Sequence, residues 1–364
     1  MDKFKLKYSP RFIHFEEINL FHFVKQYQSG GDVYHQSYEN LYNEFQEINN
    51  ITTHCQINSS FDENHLIETI DYHMDLELDK VCVGITSIKI EKEDVIGQIN
   101  NPSKFLTVDN KKKLFHLLQE GVQNHANIIV FPEFYIPIAW INEIANYAKS
   151  KNITIVGGLQ ILKSKKRCYN FIANIQPFYT DKYVKYKNVF THIREKNDYS
   201  PKEKDEYKKL NFDVKDAPNN ILTIYSFNNK FRYCNRVCYE FTDITSRANL
   251  KNKVELIIVP EFNQDTNYFS NIIESTSRDI LCFIAQSNTS IFGDSRILGP
   301  YSTNEKNLIR VKGGKNDIII VDDLDILPLI TFKNHMKKHN NYINANKKAK
   351  GKIEFKKPSA RFFK

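Results

Sequence analysis

"NIIVFPEFYIP", residues 127–137, has a near-copy in "ELIIVPEFN", residues 255–263. In each, an apolar run rich in Ile and Val reads as a buried strand, and it ends in Pro followed by an acidic side chain. A carboxylate there stands at the mouth of a sheet, beyond the carboxyl end of a strand, where α/β proteins gather their sites. The two stretches therefore raise Glu133 and Glu261 as candidates for chemistry.

Outward from these copies, strand and helix signals take turns. "KVCVGITSIKI" (80–90), "NITIVGGL" (152–159), "ILTIYSF" (221–227), "KFRYCNRVCY" (230–239), "CFIAQSN" (282–288) and "DIIIVDD" (317–323) read as strands. Helices are predicted over 108–125, 138–150 and 266–280. Such alternation implies an α/β protein, with sheets covered by helices on their outer faces. Residues 1–78 are polar and aromatic with helical-looking pieces, and they read as an N-terminal extension, mainly helical. The main domain is expected over 79–329. Within it, the highly charged stretch 197–220 reads as a long surface insertion that adds little to the core.

The 364 residues are 41% hydrophobic and 13% aromatic, enough to build a sizeable core and to set aside a disordered chain. No run of about 18 uncharged apolar residues occurs, and "MDKFKLKYSP" has no apolar segment of the secretory kind, so the expectation is a cytoplasmic protein without membrane contact. Six cysteines without a C-x-x-C pair suggest neither a zinc site nor a disulfide framework. The formal charge of +8 is concentrated in residues 330–364, which hold eleven Lys or Arg against one acid, Glu354. This stretch reads as a basic C-terminal tail able to meet nucleic acid or an acidic protein partner, or simply to remain solvated.

A thiol that cleaves an amide needs a base to take its proton and a cation or amide groups for the oxyanion. None of the eleven histidines follows a strand in a recognisable pattern. A carboxylate whose pKa is lifted by burial can serve as the base, with a lysine for the developing charge. Glu133 closes "NIIVFPE", Lys187 stands in "KYVKYKNVF", and Cys238 closes "FRYCNRVC", each at the end of an expected strand.

At these residues the chain resembles the nitrilase, or carbon–nitrogen hydrolase, superfamily. "VFPE", "CYNFIANIQPFYTDKYVKYKNVF", "THIRE", "VCYE", "ELIIVPEF", "STSRDILCFIAQSN" and "FGDSRILGPYS" follow in the family's order over roughly residues 79–325. The resemblance implies a four-layer αββα sandwich of two pseudo-symmetric halves. It further implies Glu133 as general base, Lys187 as oxyanion stabiliser, Cys238 as nucleophile, and Glu195, eight residues beyond Lys187, as the second glutamate. Lys185, on the same strand face as Lys187, is the other candidate cation. Tyr135, Tyr239, Glu240 and Glu261 would face the substrate. The activity implied is hydrolysis of a small amide-like substrate, amidase or carbamoylase in type, without cofactor or metal and in a homodimer or higher homo-oligomer. Two departures stand out: Arg236 two before Cys238, able to read an acidic substrate or to point into solvent, and "FTDI" in place of a Pro-bearing turn. The alternative reading is a binding or signalling module of the same fold within a larger complex, using the basic tail.

Overall fold

The computed structural model describes residues 56–62, 65–72, 79–164, 166–179, 187–216, 220–228, 230–315 and 317–358. In chain order the strands are β1 (Gln56–Asp62), β2 (His65–Tyr72), β3 (Val81–Ser87), β4 (Ile128–Val130), β5 (Thr154–Gly158), β6 (Leu162–Ser164), β7 (Arg167–Tyr169) and β8 (Phe171–Tyr179). They continue with β9 (Lys187–Glu195), β10 (Asn220–Phe227), β11 (Phe231–Asn235), β12 (Leu256–Pro260), β13 (Phe283–Ser287), β14 (Ser295–Leu298), β15 (Asn307–Val311) and β16 (Ile318–Leu324). The α-helices are α1 (Lys92–Asn100), α2 (Val108–Gln123), α3 (Ile141–Lys151), α4 (Pro201–Lys209), α5 (Ile244–Asn249), α6 (Thr266–Ile280), α7 (Ile326–His339) and α8 (Tyr342–Ala349).

One sheet runs β16-β3-β4-β5-β8-β9 and the other β1-β2-β10-β11-β12-β13-β14-β15, with β6 and β7 forming a small ribbon. The two repeated stretches occupy equivalent places. β4 lies parallel between β3 and β5, and β12 lies parallel between β11 and β13. Both strands are buried along their length, which is why neither alternates polar with apolar residues. The sheets stack through β3, β4 and β5 against β12, β13 and β14. α2 packs on β16, and α3 on β8 and β9; α6 packs on β13 and β14, so helices cover both outer faces. Among the described residues no helix is long and apolar enough to cross a membrane.

The helices form where the sequence signals them. Thr107 caps α2 by accepting from the Asn110 N–H, and Leu114, Leu117, Leu118 and Gly121 bury one face at helical spacing. α3 ends at Asn152 and α6 at Leu281, both in the left-handed conformation that closes a helix.

Three expectations are corrected. In the stretch read as an extension apart from the main domain, residues 56–62 and 65–72 form the antiparallel strands β1 and β2, and β2 pairs in parallel with β10 and widens the second sheet; the helical-looking pieces fall in residues 1–55, which with 63–64 and 73–78 lie outside the described residues. Residues 330–358, read as a basic tail, are folded. Phe332, Met336, Ala345 and Phe355 are buried in the core of the second sheet, because apolar residues at helical spacing lie among the lysines. The insertion 197–220 contains α4, whose Ser200 and Glu203 form a capping box, and Tyr199 and Tyr207 on either side are buried.

Candidate active site

Glu133 lies just beyond β4, at the end the repeated motif marks. Its backbone crosses so close to β5 that a Cβ on Gly158 would fall 2.6 Å from the Glu133 Cα, so only glycine admits this approach. The Glu133 N–H donates to the Glu261 carbonyl at 3.3 Å, joining the two halves of the repeat. The Glu133 carboxylate is 1% exposed and fully engaged. Oε1 accepts from Asn170 Nδ2 at 2.6 Å and from Lys196 Nζ at 3.0 Å, and Oε2 accepts from the Phe262 N–H at 3.1 Å.

Lys196 follows β9 directly and is wholly buried. Its ammonium also donates to Glu203 Oε1 at 2.5 Å and stands 5.5 Å from the centre of the Tyr199 ring. Glu203 is held in turn by its bond from the Ser200 N–H at 2.8 Å, so the capping box of α4 also fixes the lysine's partner.

Cys238 opens a short 3-10 turn, Cys238–Thr242, after β11, with φ +44°. That left-handed conformation costs a residue with a Cβ about 1–2 kcal/mol and persists only where surrounding bonds enforce it. Glu240 supplies them. Its Oε2 accepts from the Val237 N–H at 2.8 Å, its Oε1 accepts from the Asn197 N–H, and both oxygens take the fork of Arg194 at 2.7 and 2.9 Å. One buried ion pair thus ties the cysteine turn to the residues flanking Lys196.

The electrostatics follow from burial. Desolvation holds the Glu133 carboxyl above the usual carboxylate range, with Lys196 opposing and Glu203 reinforcing the rise. Burial, and then Glu133, push the Cys238 thiol well above its ordinary value, with Lys196 opposing. Burial alone would lower Lys196, but Glu133 and Glu203 hold it well above, so it stays an ammonium. The resting site is therefore a neutral thiol beside the bonded Glu133–Lys196–Glu203 chain. Such a thiol needs a base before it can attack.

Glu133, Glu203 and Cys238 line one cavity of about 410 Å³ with Phe134, Tyr207, Tyr239 and Phe262. Among the described residues no group of three or more His, Cys, Asp or Glu could hold a metal ion.

Of the residues singled out in the sequence, Glu133, Cys238 and Tyr239 meet at this cavity, and the others do not. Lys187 is exposed at the opposite end of β9, nine residues or roughly 30 Å of strand from Lys196. β9 begins at Lys187, where the sequence leads one to expect a strand's carboxyl end; Lys185 lies outside the described residues. Glu195 faces the other side of the sheet by strand alternation and accepts from Arg167 at 3.2 Å. Tyr135 is turned into the helix-covered core by the left-handed Phe134 (φ +65°), and it stacks on Phe131 at 5.5 Å. Glu240 is spent on Arg194, and Glu261 is fully buried with Oε2 accepting from Gln286 at 2.9 Å. Arg236 is also buried, bonded to the Ile221 carbonyl and Ser246 Oγ, and points neither to solvent nor into the cavity. The residues missed were Lys196, Asn170 and Glu203. The available signal was "REKND": Lys196 is the first residue past the strand that ends at Glu195, and on the opposite face from Glu195.

No family model matches the chain, and no curated protein matches it. Among solved structures the chain is similar to a CN-hydrolase superfamily protein from Xanthomonas campestris with an arsenic adduct in its active site, at 11% identity and a TM-score of 0.48 over 72% of this chain and 95% of that one. It is also similar to an amidase from Nesterenkonia sp. of the nitrilase superfamily, at 14% identity and a TM-score of 0.47 over 68% of this chain and 92% of that one.

Proposed function

We propose that this protein is a thiol hydrolase acting on a non-peptide carbon–nitrogen bond, amidase-like in type, with Cys238 as nucleophile, Glu133 as general base and Lys196 as the cation for the oxyanion. The observation that carries the reading is that Glu133 and Cys238 line one cavity, with Cys238 held in a strained left-handed turn and Lys196 bonded to Glu133. The order of the sequence blocks supports it.

In this mechanism the Cys238 proton passes to Glu133 as Sγ bonds to the amide carbon, and the carbonyl π electrons move to oxygen. Lys196 and the Tyr239 N–H stabilise that oxyanion. As the tetrahedral intermediate collapses, the C–N bond breaks and Glu133 delivers its proton to the departing amine, leaving a thioester. Glu133 then removes a proton from water, which attacks the thioester, and the proton returns to Cys238 sulfur. Glu203 keeps Lys196 oriented and charged.

The test is the rate of iodoacetamide labelling at each cysteine across pH, read by peptide mass spectrometry, together with ammonia release from a panel of amides. Cys238 should label fastest near neutrality and more slowly as acid protonates Glu133. Glu133→Gln should flatten that profile and lower ammonia release about 10²- to 10⁴-fold. Lys196→Ala should lower turnover comparably, and Lys187→Ala should leave it unchanged. Labelling of Cys238 no faster than Cys168 and indifferent to Glu133 would sink the proposal.

A further inference from the structure

The cavity beside Cys238 has apolar walls: Val95, Ile96 and Ile99 from α1, Phe134 and Phe262 beyond the two motif glutamates, and Phe269 from α6. Phe134 and Phe262 meet edge to face at 5.7 Å, and Phe262 meets Phe292 at 5.0 Å, so the aromatic wall is packed from behind.

Several of the charged side chains around the cavity are paired with one another or with Lys196. Glu133 and Glu203 hold Lys196. Lys92 on α1 reaches Glu206 on α4 at 2.6 Å, and Lys202 on α4 reaches Gln264 at 3.0 Å in the loop before α6. These two contacts tie α4 across the mouth from both sides. Asp265 caps α6 through the Tyr268 N–H, and Lys209 is exposed at the end of α4. Against the apolar wall formed by Val95, Ile96, Ile99, Phe134, Phe262 and Phe269 a charged substituent would lose its water without gaining a hydrogen bond, which is costly.

We infer that this chamber selects amides with an uncharged, apolar acyl group of arylalkyl size, a specificity that rests on the hydrolase reading for its chemistry but not for its binding. A phenyl-sized group fills a cavity of about 150 Å³, so about 410 Å³ admits a ring with its linker and the amide itself.

The experiment is calorimetric titration of the full-chain Cys238→Ala variant with acetamide, 3-phenylpropanamide, the succinamate anion and the 4-aminobutanamide cation. 3-Phenylpropanamide should bind roughly 10- to 100-fold tighter than each of the others, as expected for burial of one aromatic ring. The half-buried Ile96→Asp should abolish that preference. Equal or tighter binding of either charged amide, affinities within threefold of one another, or no binding at all would each overturn the inference. Ammonia release by the wild type separates the two ideas. The expected binding preference without release removes the hydrolase reading and leaves the chamber's selectivity standing; release without the preference removes the selectivity alone.

Discussion

Glu261 shows how a residue that repeats the motif can have a different task from its counterpart. It occupies beyond β12 the place that Glu133 occupies beyond β4, yet it is sealed from the cavity and takes its hydrogen bond from Gln286. Burial, and to a lesser degree the nearby Glu133 carboxylate, push its pKa up to about 8. An acid raised in this way folds without penalty below its unfolded value of about 4.3 and costs stability increasingly as pH climbs toward 8. Glu261→Gln, neutral throughout, should therefore gain on the wild type between pH 5 and pH 8. Thermal melts at the two values measure this, and a constant difference in Tm would mean that the carboxylate is charged in the fold. Burial raises the Glu133 carboxyl as well, but there Lys196 and Asn170 oppose the rise.

At the scale of elements, the site depends on how the end of β9 is fastened to the turn after β11. Arg194, the last but one residue of β9, and Glu240, inside the 3-10 turn, form a bidentate pair 5% and 0% exposed. Despite burial, Arg194 and then Arg236 lower the Glu240 carboxyl to about 2. Glu240→Gln would leave Arg194 buried without its counter-charge and should cost about 3–5 kcal/mol in urea denaturation near pH 7. Because the folded pKa is depressed, this stabilisation is present above the unfolded value and is lost as pH falls from about 4.3 toward about 2. The gap between wild type and Glu240→Gln should accordingly narrow over that window. A gap independent of pH would assign the loss to packing. The variant should also slow Cys238 labelling, since Glu240 holds the Val237 and Asn197 N–H groups on either side of the site.

At the scale of the whole molecule, residues 330–358 of the basic C-terminal stretch are part of the fold. Phe332 of α7 is fully buried, 5.3 Å from the Phe355 ring and edge-on to Tyr342 at 6.2 Å, and Phe355 stacks on Tyr301 at 5.2 Å. Lys333 donates to the Val254 carbonyl at 3.0 Å, anchoring α7 beside the strand that carries Glu261. Phe332→Ala should lower stability by about 3–5 kcal/mol in a urea titration followed by circular dichroism. A solvated tail would give no change.

The sequence by itself determined the buried strands, the helices α2, α3 and α6, and the candidacy of Glu133 and Cys238. Apolar runs, helical spacing and residues at strand ends are local patterns, and local patterns survive in one dimension. It left open which lysine completes the group. "KYVKYKNVFTHIREKND" offers several cations, and only the antiparallel register of β8 with β9, which sets Phe171 opposite Glu195, brings Lys196 to Glu133 and carries Lys187 away. The same holds for Glu240 and Glu261. Whether a carboxylate near a strand end faces a cavity, a buried arginine or a neighbouring glutamine depends on what the other strand or sheet places opposite it, and that is decided by tertiary packing alone.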